Sequence, residues 1–237
     1  MILRVWDIHP GYLSRQSLLG QHVEIHAIFN IITGDKQGYA HHPETMRWRH
    51  NLDRLIQVHR LTVAEMILRG YGHASPLTEM DCAGEGVFSW VDPPHFQFGL
   101  LLAKYATKAH TGRIPLPQRG SQFWANHKYG VMGRGYGCYK EIQAYLRNKK
   151  DYPIEEEAEL VARVMEITRS SLEIGALPNT LDHLWGYFKN SATLPEKEIY
   201  LTKREADPAS LIPFFYQLAC KYEIQYLRHS TIFSDII

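Results

Sequence analysis

Glu24 is the only ionisable acid between Gln16 and Thr33, and the same opening stretch of the chain holds Arg4 and the amino terminus at Met1. An amine, a guanidinium and a lone carboxylate within one short unit point to amine chemistry. An α-amine has a reference pKa of about 8, well below that of lysine, so an appreciable fraction is free base at neutral pH without burial. A neighbouring carboxylate can shuttle its proton and stabilise an iminium cation formed by such an amine.

The element that must present Glu24 is a helix. Ser14 or Ser17 can cap it, Leu18, His22, Ile25, Phe29 and Ile32 recur at helical spacing, and Gly34 ends it, so Gln16 to Thr33 is expected as a helix with one buried side. Glu24 lies on a different stripe with Gly20, Ala27 and Ile31, whose small residues would let a backbone or a ligand approach closely. The competing reading is a solvated glutamate on an outer face. His22 and His26 share a face, but Glu24 sits about 200° around from His22, so the three cannot converge on one ion from this helix. No metal site and no cofactor are expected, and His59, on the apolar stripe of a later helix, reads as a core histidine.

The run Arg4-Val5-Trp6-Asp7-Ile8-His9-Pro10-Gly11-Tyr12-Leu13, then Glu24, Gly38-Tyr39-Ala40-His41-His42-Pro43, Arg47 and Arg69-Gly70-Tyr71, resembles the bacterial branch of the pyrimidine-dimer DNA glycosylase family, founded on phage endonuclease V. The resemblance covers roughly residues 1 to 80. It implies a compact helical domain whose terminal α-amine attacks C1′ of the damaged nucleotide, followed by β-elimination that nicks the strand. By that resemblance Met1 carries the nucleophile, Glu24 is proton shuttle and iminium stabiliser, and Arg4 contacts phosphate or lesion. Such an enzyme must also distort the duplex or expel a base to reach its target.

Over its 237 residues the chain is 45% hydrophobic and 22% charged, an ordinary globular balance. No apolar run approaches eighteen residues, and Asp7 and His9 stand where a signal peptide would be apolar, so a cytoplasmic protein with no membrane partner is expected. Cys82, Cys138 and Cys220 are too dispersed for a zinc site or a disulfide framework. Net charge is uneven. Ala103 to Lys150 holds ten basic residues against one acid, whereas the segments on either side are net acidic. Cations interleaved with Tyr105, Phe123, Trp124, Tyr129, Tyr136, Tyr139 and Tyr145 suit a phosphodiester backbone and stacked bases. Lys104, Lys108, Arg113, Arg119, His127, Lys128, Tyr129, Arg134, Tyr136 and Lys140 are the expected nucleic-acid contacts, with damaged duplex DNA, or RNA, as partner.

Gly34 to His50 reads as a loop, and Leu52, Leu55, Ile56, Val63, Met66 and Ile67 mark a second helix closed by Gly70. Residues 71 to 95 are rich in glycine and proline, and Phe96 to His110 reads as a helix. In the carboxyl half, Leu160, Val164 and Ile167, and again Leu211, Phe215, Leu218 and Tyr222, follow helical spacing, while Pro153, Pro178, Pro195 and Pro208 stand at plausible helix starts. Glu155-Glu156-Glu157 reads as helix-start charge. Trp124-Ala125-Asn126-His127-Lys128-Tyr129, Asn179 to Lys189, Leu211-Ile212-Pro213 and Tyr226-Leu227-Arg228-His229 look like the YbgA-like domain of unknown function, which implies a helical unit with a nucleic-acid role. Gly133-Arg134-Gly135-Tyr136-Gly137 lacks the flanking strand and lysine-serine ending of a phosphate loop, and suits a flexible basic segment.

The expected fold class is all-α: two helical domains, 1–92 and 121–237, joined by a Pro/Gly-rich connector, 93–120, with one helix. The leading function is a DNA-repair glycosylase and AP lyase on pyrimidine photolesions. The alternative is a catalytically inactive nucleic-acid-binding protein on the same scaffold, favoured by Val23 and Ala27 where the family carries arginines. A small-molecule site around His127 and His183 is the third reading.

Overall fold

A computed structural model describes residues 3–34, 38–78, 88–107, 111–147 and 149–235. Among these residues the chain is all-α, with eleven helices and no sheet; Arg119 and Pro153 form one isolated bridge. Met1, Lys108, Cys82 and His110 lie outside the described residues.

Helix α1 (Arg15–Thr33) starts where Ser14 accepts the Ser17 amide and ends where the Gly34 amide bonds to Asn30. Its apolar stripe packs Leu18, Ile25 and Phe29 inward. The stretch expected as a loop contains α2 (Pro43–Trp48). Pro43 supplies a preset φ at its start and the His42 ring accepts the Glu44 amide, local chemistry that six residues cannot reveal by periodicity. Helix α3 (Leu52–Leu68) closes in a Schellman arrangement: Gly70 takes φ +80°, its amide bonds to Ile67, and the Tyr71 amide bonds to Met66. Of its expected apolar stripe only Ile67 is turned outward, at 55% exposure.

The segment from Leu3 to His9 is buried and runs without a strand partner, so its amides need other acceptors. Side chains supply them. The Arg4 amide donates to Glu24, Val5 to Glu44 (3.1 Å), Trp6 to Gln21 (2.8 Å) and Asp7 to Gln97 (2.8 Å). Arg47 ties the same segment from α2: its guanidinium bonds Asp7 at 2.8 Å, Glu44 at 2.5 Å and the Val5 carbonyl at 2.8 Å.

Helices α4 (Pro94–Ala106), α5 (Gly120–Met132), α6 (Tyr136–Arg147) and α7 (Ala158–Ile167) form the middle of the molecule. One core cluster joins Trp6, Tyr12 and Leu18 to Phe98, Leu101 and Ile114 and on to Phe123, Val131 and Leu160. The stretch expected to connect two units is thus itself buried in shared core. Gly112 marks a tight passage, since a Cβ there would stand 2.5 Å from the Gly11 and Tyr12 backbone. Helices α8 (Leu177–Trp185), α9 (Leu194–Ala206), α10 (Leu211–Lys221) and α11 (Gln225–Arg228) close a second cluster around Leu181, Leu184, Phe188 and Phe215, shared with Tyr129 and Met132 of α5. Pro178 and Pro195 stand in the first turns of α8 and α9. Glu157 directly precedes α7 and bonds Lys149 at 2.5 Å.

A candidate active site and nucleic-acid surface

A cavity of about 350 Å³ opens beside the amino-terminal segment. Gln16, Ser17, Gly20, Gln21 and Glu24 of α1 form one wall, Leu100 and Lys104 of α4 another, and Arg4 and Trp6 the third. Gly20 leaves this wall bare: a Cβ there would meet nothing within 4 Å among the described residues, so no packing against them asks for glycine. Glu24 is half-buried at the rim, its carboxylate accepting the Arg4 amide. Burial pushes its pKa up from the ordinary carboxylate value; the Arg4 amide pulls it back, Glu44 adds to the rise, and the charges of Lys104 and Arg4 oppose it. A carboxylate raised in this way is suited to exchange protons.

Arg4 has two duties besides lining the cavity. Its guanidinium pairs with Asp92 and lies 4.9 Å from the centre of the Trp6 ring. Lys104 approaches the same ring, its Nζ 5.7 Å from the centre. Sequence reasoning counted Lys104 in the basic block and had no means of setting it opposite Glu24. Only the packing of α4 on the amino-terminal segment does so.

The expected nucleic-acid contacts separate into two groups. Four are withdrawn from solvent. Arg134 is buried against Asp235 at 2.9 Å and also bonds the Ser170 and Gly130 carbonyls. Arg113 holds Glu65 at 2.8 Å and the Arg228 and Ser230 carbonyls. His127 has no exposed surface, packing on Phe123, Tyr12 and His9, and Tyr129 is 4% exposed. None of the four can meet a phosphate without unpacking the core. The expected flexible glycine-rich loop is the tight joint between α5 and α6, anchored by Arg134.

The second group stays outside. Lys104 and Lys140 are exposed, Lys128 is half-buried over the Tyr129 and Tyr226 rings, and Arg119 is half-exposed beside Asp151. Tyr136, 41% exposed, stacks on Tyr139 at 5.7 Å and 14°, Tyr139 stacks on Trp124, and Lys140 sits 4.8 Å over Tyr136. This ladder of rings beneath a cation has the composition of a base-stacking platform. Cys138 is partly exposed and Cys220 exposed, both free thiols. His183 is exposed on α8 while His127 is sealed in the core, so the pair shares no open site.

Sequence reasoning missed one further cluster. His22 and His26 of α1 meet His59 of α3 and His73 of the segment after it, with one ring nitrogen from each inside 4.8 Å. Glu24 indeed stands away from them, but their partners come from other elements. The spacing of His22 and His26 was the one available sign.

Fold and site together define a helical protein with a carboxylate set between two cations in an open cavity and exposed cation-aromatic stacks elsewhere on its surface. Residues 3–79 match the family described as pyrimidine dimer DNA glycosylase. Residues 128–235 match a protein family of unknown function, DUF1722. Glu24, Arg4 and the four histidines fall in the first match, Lys128, Tyr136 and Lys140 in the second, and Lys104 in neither. No curated protein and no solved structure is significantly similar to the chain. No helix among the described residues is long and apolar enough to cross a membrane.

Proposed function

We propose that the chain is a DNA-repair glycosylase with AP lyase activity on pyrimidine photolesions. The observation that carries the reading is the half-buried Glu24 carboxylate beside the bare Gly20 wall, flanked by Arg4 and Lys104, within the segment that matches the glycosylase family. In the proposed reaction an amine attacks C1′, the base departs with the glycosidic electron pair, and loss of the ring C1′–O bond leaves a Schiff base. Removal of a C2′ proton then drives β-elimination of the 3′ phosphate. Glu24 takes the proton released by the attacking amine and stabilises the iminium. Arg4 and Lys104 meet the flanking phosphates.

The proposed nucleophile is the Met1 α-amine. Three residues separate it from Arg4, and a chain of that length spans at most about 11 Å. The Arg4 amide bonds to Glu24, which supports an amine acting within that length of the carboxylate. The half-buried Lys128 and the exposed Arg119 and Lys140, with the Tyr136 stack, would hold the displaced or neighbouring strand.

The alternative, binding of DNA or RNA without catalysis, is favoured by the structural duties of the same residues: Glu24 satisfies a backbone amide and Arg4 pairs with Asp92. One experiment separates the two. The protein is incubated with duplex DNA carrying a thymine dimer or an abasic site, borohydride is added, and the adducted peptide is mapped by mass spectrometry. An adduct on the Met1 peptide is expected. An adduct on Lys104 would move the nucleophile to α4, and salt-sensitive binding with no adduct would leave a binding protein.

A further inference from the structure

The four histidines stand apart from the Glu24 cavity, on the other side of α1. The rings are close in almost every pairing: their centroids are 4.7 Å apart for His22 and His26, 4.9 Å for His26 and His59, 5.2 Å for His22 and both His59 and His73, and 5.3 Å for His59 and His73. The Nε2 atoms of His26 and His59 are 3.2 Å apart, with the Ser75 hydroxyl 3.5 Å from the former. The Nε2 atoms of His22 and His73 are buried and have no hydrogen-bond partner among the described residues. Buried polar atoms without partners are rare in native proteins, and each needs a physical reason. Packing alone gives none here, because apolar rings would fill the same space without the penalty.

We propose that His22, His26, His59 and His73 form a binding site for one divalent transition-metal ion, with zinc the best match. The donor set decides the class. Four imidazoles with no carboxylate among them suit zinc, nickel or copper, whereas calcium and magnesium require oxygen ligands. Tetrahedral zinc with bonds of about 2.0–2.1 Å sets neighbouring nitrogens about 3.4 Å apart. The 3.2 Å pair already has that spacing, and the widest separation of 4.8 Å closes by a little over an ångström. His73 lies in irregular chain after the Gly70 cap, the segment best able to make that adjustment. Four protein ligands complete the shell, so the site is structural and offers no open position for substrate. It would clamp α1 to α3 and to the following segment, and thereby hold the helix that presents Glu24.

The test uses the full chain with any affinity tag removed, stripped with chelator and dialysed against zinc. One zinc per chain is expected, with cobalt giving the intense visible bands of a four-coordinate site. His73→Ala, outside any helix, and His26→Gln are each expected to weaken zinc binding by more than the roughly 10–100-fold that follows loss of an outer-shell hydrogen bond. His183→Ala, an exposed residue of α8, leaves the stoichiometry at one. Helicity measured by circular dichroism confirms that each variant is folded; should His26→Gln fail to fold, His73→Ala alone decides. Zinc retention by folded His73→Ala equal to that of the parent, or no zinc uptake by the parent, would overturn the proposal.

Discussion

Replacing Glu24 separates its two roles, because glutamine keeps an acceptor oxygen where alanine keeps none. In Glu24→Ala the Arg4 amide loses its acceptor, which costs about 1–3 kcal/mol for a partly buried donor. In Glu24→Gln the amide still has an oxygen to bond, and the loss is the charge-assisted part of the interaction, about 1 kcal/mol. Part of that loss returns, since burial already disfavours the charged carboxylate. Glutamine, however, can neither take a proton nor offset an iminium charge, and a positioned acid or base contributes roughly 10²–10⁴ in rate. The assay is the single-turnover rate of borohydride trapping on abasic duplex, measured where both variants are folded. Both should fall by two to four decades, Glu24→Gln with little loss of stability. In the parent, the rate should fall on the acid side in two steps, one as the amine protonates near its reference pKa of about 8 and one set by Glu24 above the ordinary carboxylate range, since burial raises its pKa; only the Glu24 step should vanish in Glu24→Gln. Trapping by Glu24→Gln at the parental rate would refute the chemistry and leave Glu24 as an acceptor for a backbone amide.

Three other outcomes rest on different parts of the molecule. Lys140→Ala, which removes an exposed cation over the Tyr136 stack, should lower the slope of log binding constant against log salt by about one and leave stability unchanged, as read by titration at several salt concentrations. Arg134→Ala should leave that slope alone and instead destabilise by about 3–5 kcal/mol in denaturant, because it strands Asp235 in the core. Burial works to raise the Glu65 carboxyl, but Arg113, then Arg69 and His9, bring it down to about 2. Its contribution is therefore complete above the unfolded pKa of about 4.3 and is lost as pH falls through about 2, so Glu65→Gln should flatten the acid side of a stability profile.

Features set by neighbouring residues were legible in the sequence. The ends of α1 and α3 follow from Ser14, Gly34 and Gly70, each of which acts within a turn of its own position. What composition could not supply was partnership over distance. Arg113 and Arg134 counted as basic surface, yet their acids stand 48 and 101 residues away in sequence, at Glu65 and Asp235. A tally of charge cannot tell a cation waiting for phosphate from one already neutralised in the core. The same limit applied to the histidines: two of the four lie on one helix, and the other two arrive through the α1–α3 packing and the turn after Gly70.

The separation of architecture from chemistry follows from how the amino-terminal segment is held. A buried extended segment without a sheet must borrow acceptors, and here Gln21, Glu24, Glu44 and Gln97 supply them from three helices. Gln21 also bonds Thr62 of α3 at 2.9 Å, so the turn of α1 that carries Glu24 is locked from both sides. Asp7, Arg47, Arg69 and Gly70, which stand out in the sequence as strongly as Glu24 does, are accounted for by this scaffolding. Gly20 is not, because nothing among the described residues occupies the space a Cβ would take. A ligand that fills the cavity should therefore be the most sensitive probe of that position. Gly20→Leu would leave the fold standing and obstruct whatever the Glu24 carboxylate acts on, and unimpaired DNA trapping by that variant would place the reaction elsewhere.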